Sequence, residues 1–255
     1  MGALHLGTSG YVYKHWKGLF YPPGVPATRW LPYYANVFRT VELNATFYRL
    51  PTPAAVVGWR EQVPEGFLFA CKGSRFLTHM KRLHEVGEGL ERFLGLVRLL
   101  GRKLGPVLWQ LPAQMTKPHP DLLENFLAHL PRDMQHVFEF RAPGWHSPEV
   151  LRLLDAYGVA LCEHDLVDPR PPRPTGGFRY LRFHGYQAKY SGRYGRRALR
   201  PFARDLEAYA ASGGTAWVYF NNDLQGHALM DALDLADLLG TPVHLEPAHA
   251  RLLER

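Results

Sequence analysis

Short apolar runs alternate with amphipathic ones along the whole chain, and the two kinds of run differ in period. Strand-like runs are LHLGTS (4–9), TVELNATF (40–47), FLFACKGS (67–74), PVLWQLP (106–112), HVFEFR (136–141), VALCEHD (159–165), RYLRFHG (179–185) and AWVYFNND (216–223). They are short, carry β-branched and aromatic residues, and are bounded by turn-forming residues. Helix-like runs fall between them. In LERFLGLVRLLGRKLG the apolar residues recur at three- and four-residue steps, the spacing of one helix face. TRWLPYYANVFR opens on Thr28 with Pro32 in its first turn, and TPAAVVGWREQV opens on Thr52 before Pro53, a cap followed by a residue suited to a helix start. PDLLENFLAHLP, SPEVLRLLDAYG, ALRPFARDLEAYAASG and GHALMDALDLADLLG follow, several of them ending in Gly.

This order predicts eight strands, seven crossing helices between them and a final helix after the last strand. Repeated βα units imply parallel strands. The length of 255 residues matches the roughly 250 typical of a (β/α)8 barrel. The expected fold is therefore α/β, a single TIM-type barrel with parallel strands, as one domain over residues 1–255 with 240–255 as a C-terminal tail. The rival, a doubly wound open sheet, usually carries a glycine-rich phosphate loop, and neither GxGxxG nor GxxxxGK[ST] occurs. PRPPRP (169–174) reads as a proline-rich loop between the sixth and seventh strands.

Several strands end in polar residues rather than in a Gly or Pro turn, AWVYFNND above all. Side chains alternate faces along a strand. That alternation sets Glu42 and Asn44 opposite Val41, Leu43 and Ala45, and Glu139 and Arg141 opposite Phe138 and Phe140. It also sets Tyr180, Arg182 and His184 opposite Leu181 and Phe183, and Tyr219, Asn221 and Asp223 opposite Val218 and Phe220. Lys72 shares a face with Ser74, and Gln110 stands near the end of its strand. In a barrel the outer face packs on apolar helices, so the polar face is expected to point inward, clustered at the C-terminal ends where barrel enzymes place their sites. Buried charges must pair or meet a ligand. Lys72, Arg141 and Arg182 outnumber Glu42 and Glu139, so an anionic ligand, a phosphate or carboxylate, is expected. A structural salt-bridge plug is the alternative.

Three loops are expected over the same ends. GTSGYVYKHWKGLFYPPG (7–24) interleaves aromatics, Tyr13 and Trp16 among them, with bases; such a loop can stack rings and hold phosphates, or form a packing cluster. SRFLTHMKRLHE (74–85) offers Arg75, His79, Lys81 and Arg82 as a basic lid or a solvated loop. GYQAKYSGRYGRR (185–197) is rich in glycine and bases. Among lone histidines, His5 reads as a satisfied core residue, and His119, His129, His136 and His249 as surface residues. At the end of the sixth strand either His164 or the pair Glu163 and Asp165 faces inward, but not all three.

Composition narrows the partners. The chain is 46% hydrophobic and has a formal charge of +7 with a pI near 9.5, which favours an anionic partner without bearing on the fold. Cys71 and Cys162 sit in apolar runs without a metal or redox pattern, as core thiols of a reducing cytosol do. MGALHLGTSG has no signal-peptide pattern, and no run reaches the roughly 20 apolar residues needed to cross a bilayer, so a cytoplasmic protein with no membrane partner is expected.

The motifs GTSGYVYKHW, FYP, TVELNATFYRLP, FACKGSRFLTHMKRL, LGPVLWQLP, FEFRAPGW, RFHG and FNNDLQGHA, in this order over about residues 4–239, resemble the YecE-like family, also called domain of unknown function 72. That resemblance implies a (β/α)8-type barrel and no assigned activity. The chain departs from the family pattern at Asp231, where Asn is expected, and in its Arg-rich loop after RFHG.

Three functions follow from the residues. The first is an enzyme using general acid–base chemistry on an anionic small molecule. Glu42, Glu139 and His184 are its catalytic groups, and neighbouring charges push the two carboxyls apart. Lys72, Arg75, Arg141 and Arg182 hold the anion, Asn44, Gln110 and Asn221 orient polar groups, and Tyr13 and Trp16 line the mouth. No cofactor is expected. The second function is metal-dependent hydrolysis or isomerisation, with a divalent metal on Glu42, Glu139, Asp165 and His184. The third is a non-enzymatic binder of a phospho-ligand or nucleic acid.

Overall fold

The computed structural model describes residues 2–167, 174–186, 189–241 and 243. Its strands are β1 (Leu4–Thr8), β2 (Thr40–Leu43), β3 (Leu68–Lys72), β4 (Leu104–Gln110), β5 (His136–Glu139), β6 (Ala160–His164), β7 (Arg179–Phe183) and β8 (Ala216–Phe220). They form one eight-stranded sheet in the order β1-β8-β7-β6-β5-β4-β3-β2. The two ends of that order meet at a parallel bridge between Ser9 and Glu42. The fold is the expected (β/α)8 TIM-type barrel.

The helices are α1 (Trp30–Val37), α2 (Ala45–Tyr48), α3 (Pro53–Glu61), α4 (Gly87–Val97), α5 (Pro120–Ala128), α6 (Pro148–Ala156), α7 (Gly195–Ala211) and α8 (His227–Leu238). Their starts follow local chemistry. The Thr52 hydroxyl accepts from the Ala55 N–H at 3.2 Å, and the Ser147 hydroxyl caps α6 through the Val150 N–H at 3.3 Å. Two expectations change. Between β6 and β7 no helix occurs among the described residues, which show an α-helix in six crossings where seven were expected; the proline-rich run lies mostly outside the described residues. The strand read over 40–47 stops at Leu43, and the chain turns at Asn44 into α2. There the Thr46 hydroxyl donates to the carbonyls of Leu43 and Lys72, at 2.9 and 2.6 Å.

The chain divides into two compact units. The first comprises Met1–Glu42, Gln62–Phe67 and Arg182–Arg255, the second Leu43–Glu61 and Leu68–Leu181. In the first, α8 packs on β1 and α7, and Trp16, Phe20, Tyr21 and Tyr34 are buried to 2% exposure or less. The Tyr21 and Trp30 rings stack 4.6 Å apart, and burial raises the Tyr21 phenol far above its usual range. In the second, Trp109 on β4 is wholly buried against Phe93 of α4 and Phe126 of α5, with ring centroids 5.5 and 5.2 Å away. Gly73 is required there, because a Cβ would lie 2.2 Å from the Trp109 ring.

No described helix is long and apolar enough to cross a membrane.

Candidate functional site

In the first unit the parallel seam draws together the ends of β1, β2 and β7. Ser9, one residue past β1, donates its backbone N–H to Phe220 O at 2.8 Å, and Gly10 N–H donates to Glu42 O at 2.8 Å. Those bonds set the Ser9 hydroxyl against Glu42 Oε1, to which it donates. Arg182, from β7, donates through Nη2 to the same Oε1 at 2.8 Å and to Ser9 Oγ at 3.1 Å. Its Nη1 lies 3.2 Å from His184 Nε2. Arginine only donates, so Nε2 of His184 is the acceptor and the ring is a neutral tautomer protonated at Nδ1. Glu42 and Arg182 have no exposed side-chain surface. Tyr219 and Thr40 share a hydroxyl bond of 2.7 Å.

In the second unit a carboxylate and three cations converge on one histidine. Glu139 ends β5 and is fully buried; Arg141 Nε donates to its Oε1, and the Cys162 thiol lies 3.9 Å from its Oε2. Lys72 ends β3, and its ammonium sits over the Phe47 ring, 4.3 Å from the centroid. His79 lies in a π-helical turn, Phe76–Met80, a form that recurs at functional sites. Its ring meets Phe47 edge to face at 5.0 Å, and its Nδ1 is 2.9 Å from the Thr78 hydroxyl. Burial, then the positive charges of Lys72, Arg141 and Arg75, lower His79 to about 4, with Glu139 opposing. His79 is therefore neutral at pH 7.

His164 is spoken for: Nε2–H donates to Phe140 O at 2.8 Å and Nδ1 accepts from Leu166 N–H at 3.2 Å. Glu163 points elsewhere, forming a two-bond pair with Arg179 at 2.7 Å each.

The structure thus brings Glu42, Arg182 and His184 together in one unit, and Glu139, Arg141, Lys72 and Arg75 around His79 in the other. Other expected residues stand differently. Trp16 is buried within the aromatic cluster rather than presented to a ligand, with Tyr13 at 4.7 Å. The Tyr13 hydroxyl donates to Ser9 O at 2.5 Å. Gln110 donates to Leu111 O at 3.3 Å. Asn44 is half-buried at the start of α2. Asn221 lies past β8, where its N–H donates to Phe183 O at 2.7 Å. Asp223 is met by His15, whose Nε2 is 2.7 Å from its carbonyl oxygen and 3.5 Å from Oδ2. Burial raises the Asp223 carboxyl above its ordinary value. Among the described residues no three His, Cys, Asp or Glu side chains are grouped to hold a metal ion.

Sequence reasoning missed four participants. Ser9 sits inside GTSGYVYKHW, but nothing local marks it as Glu42's partner. His79 reads as one more base of a lid, whereas its surroundings keep it neutral. Cys162 reads as a core thiol, and the carboxylate beside it comes from another strand. Asp231 is no ordinary helix position. It is fully buried and accepts from Asn222 Nδ2 at 2.8 Å and from the N–H groups of Tyr194 and Gly195 at 3.1 and 2.9 Å. Burial pushes its carboxyl up while those three donors pull it down. His136 corrects the surface reading: it is 3% exposed on β5, between the Trp109 Nε1–H and Pro131 O.

Fold and site together define a parallel (β/α)8 barrel protein with buried acid–base pairs at the C-terminal ends of its strands. The chain belongs to the family described as "Protein of unknown function DUF72", which it matches over residues 5–252. It is 34% identical over 110 residues to the UPF0759 protein YecE of Escherichia coli (strain K12), covering 43% of this chain and 40% of that relative. The chain thus matches less than half of YecE's length. The UPF0759 protein YunF of Bacillus subtilis (strain 168) is 25% identical over 252 residues, 86% of this chain and 89% of that one. Among solved structures, a DUF72 family protein from Thermotoga maritima MSB8 superposes with a TM-score of 0.83 at 28% identity, covering 93% of this chain and 99% of that chain.

Proposed function

We propose that this protein is an enzyme performing general acid–base chemistry on an anionic small molecule, phosphorylated or carboxylated, at the C-terminal strand ends of the second unit. One observation carries the reading: Lys72, Arg141 and Arg75 bear on the half-buried His79 with their positive charges, and Glu139 opposes them. Three cations facing one carboxylate leave an electrostatic surplus that a bound anion relieves. Arg141 is the bidentate donor for a planar or tetrahedral oxyanion, with Lys72 and Arg75 as point and fork charges beside it.

The neutral His79 keeps a lone pair for a proton at neutral pH, and binding an anion raises its basicity by cancelling the charges that depress it. Glu139 is the carboxylate of the pair and passes the proton on or holds Arg141 in place. In this reading Glu42 and His184 orient Arg182 in the first unit.

A thermal-shift screen of anionic metabolites tests the reading. A phosphorylated or carboxylated hit is expected to stabilise the protein, and Arg141→Ala to abolish the shift. Once a turnover assay follows from the hit, Glu139→Gln is expected to slow it by about a hundredfold or more, the usual worth of a general acid or base. If no anion raises the melting temperature, or if Arg141→Ala leaves the shift intact, the assignment is wrong.

A further inference from the structure

Outside both charged clusters, the second unit contains a groove of about 560 Å³ between the segment after the π-helical turn and the segment leading into α5. We propose that this groove is a phosphate-binding site, and that its ligand is larger than the phosphate itself. The reading stands apart from the one above, because none of its residues belongs to the cluster around His79.

The first wall is Arg82 and His84. They flank Leu83, whose side chain is fully buried and acts as the anchor. Arg82, Leu83 and Glu85 all adopt left-handed backbone, with φ of 48°, 72° and 47°. Such conformations are costly for residues with side chains and persist where surrounding contacts impose them, often at ligand sites. Here backbone bonds from Leu83 N–H to Leu77 O, at 3.0 Å, and from His84 N–H to Lys81 O, at 2.9 Å, hold the segment. Glu85, three residues after Arg82, pairs with Lys81 at 3.1 Å and does not line the groove.

The second wall carries Lys117 and His119. Pro118 and Pro120 stiffen it. It is also pinned from beneath: Trp145 Nε1–H donates to Met115 O at 2.6 Å, and Gly144 packs so closely that a Cβ there would lie 2.9 Å from Thr116 O.

Arg82, His84, Lys117 and His119 are exposed and their side chains make no hydrogen bond or ion pair within the described residues. One acid, Asp121, lines the groove against them, and it lies in the first turn of α5, where a carboxylate is already favoured by the helix dipole. A rigid, roofless groove with a guanidinium, an ammonium and two imidazoles around it is built for a multiply charged oxyanion, which takes several charge-assisted hydrogen bonds at once. The volume lies within the range of small-molecule pockets and exceeds what a lone phosphate fills.

Calorimetric titration with inorganic pyrophosphate, and separately with a single-stranded oligonucleotide, tests the site. Saturable pyrophosphate binding is expected. Arg82→Gln with Lys117→Gln should weaken it by at least about tenfold, the loss expected for one or two charge-assisted hydrogen bonds. Lys117→Arg should retain it. Both positions are exposed, and an unchanged melting temperature of the double variant verifies its fold. If the oligonucleotide binds more tightly, with a steep salt dependence that the double variant flattens, the phosphate belongs to a polynucleotide backbone. Pyrophosphate binding without oligonucleotide binding assigns it to a small phosphorylated molecule. No saturable binding of either, or binding that Arg141→Ala removes and the groove variant leaves intact, overturns the proposal.

Discussion

Glu42 and Arg182 are both withdrawn from solvent, and each makes the other tolerable there. Truncating one member of such a pair strands the other charge, at a cost of about 3–5 kcal/mol, whereas an exposed pair contributes little. Glu42→Gln is therefore expected to lower the urea midpoint strongly, and Glu42→Gln with Arg182→Met to recover part of the loss. A double variant as unstable as the single one would show that Arg182 is not the stranded group. Alternation along two strands already grouped these residues in the sequence. Ser9 escaped because its link to Glu42 is a bridge between strands that are distant in the chain. His79 escaped for a different reason: in the sequence it is one more basic residue of a loop, and its burial beside three cations, which lowers it to about 4, is a tertiary property.

Gly7 on β1 faces the β1–β2 seam, and a Cβ there would lie 2.3 Å from Thr40 O. Gly7→Ala must push the two strands apart or lose their approach, and it is expected to lower the melting temperature markedly. Gly95 within α4 is the opposite case, since nothing lies within 4 Å of its would-be Cβ. Gly95→Ala should raise stability by about 0.5–1 kcal/mol, the helix-propensity gain. Equal effects from the two substitutions would contradict the seam geometry. Strand and helix positions were legible from periodicity. Their ends were less so: TVELNATF reads as one strand by alternation, but the Thr46 hydroxyl bonds to two carbonyls and turns the chain after Leu43.

Among the described residues burial lowers four histidines, three of them to about 4 and His146 in the same direction. Burial lowers His5, which is stacked on Trp217 at 3.9 Å, to about 4. Burial likewise lowers His136 to about 4, and burial with nearby cations does the same to His79. Between about pH 4 and the ordinary value of 6.5 the unfolded chain binds more protons at these sites than the folded one. Stability is then fully present above about 6.5 and falls as pH drops through that window. Unfolding free energies measured across it should show this slope, and His136→Gln should make it shallower. A slope unaffected by that substitution would mean that His136 is protonated in the fold.

Sequence alone determined that the chain is a parallel βα repeat, that eight strands close a barrel, and that charged residues gather at strand ends. These follow from local rules of period, turn chemistry and the cost of burying charge, all of which act within a few residues. Tertiary structure decided which charges pair, that burial lowers His79 and His136 to about 4, that Asp231 is a buried acceptor for three donors, and that Arg82 and Lys117 border one groove. Those outcomes depend on distances between segments far apart in the chain and on how much water each group loses, and neither quantity is written in any single run of residues.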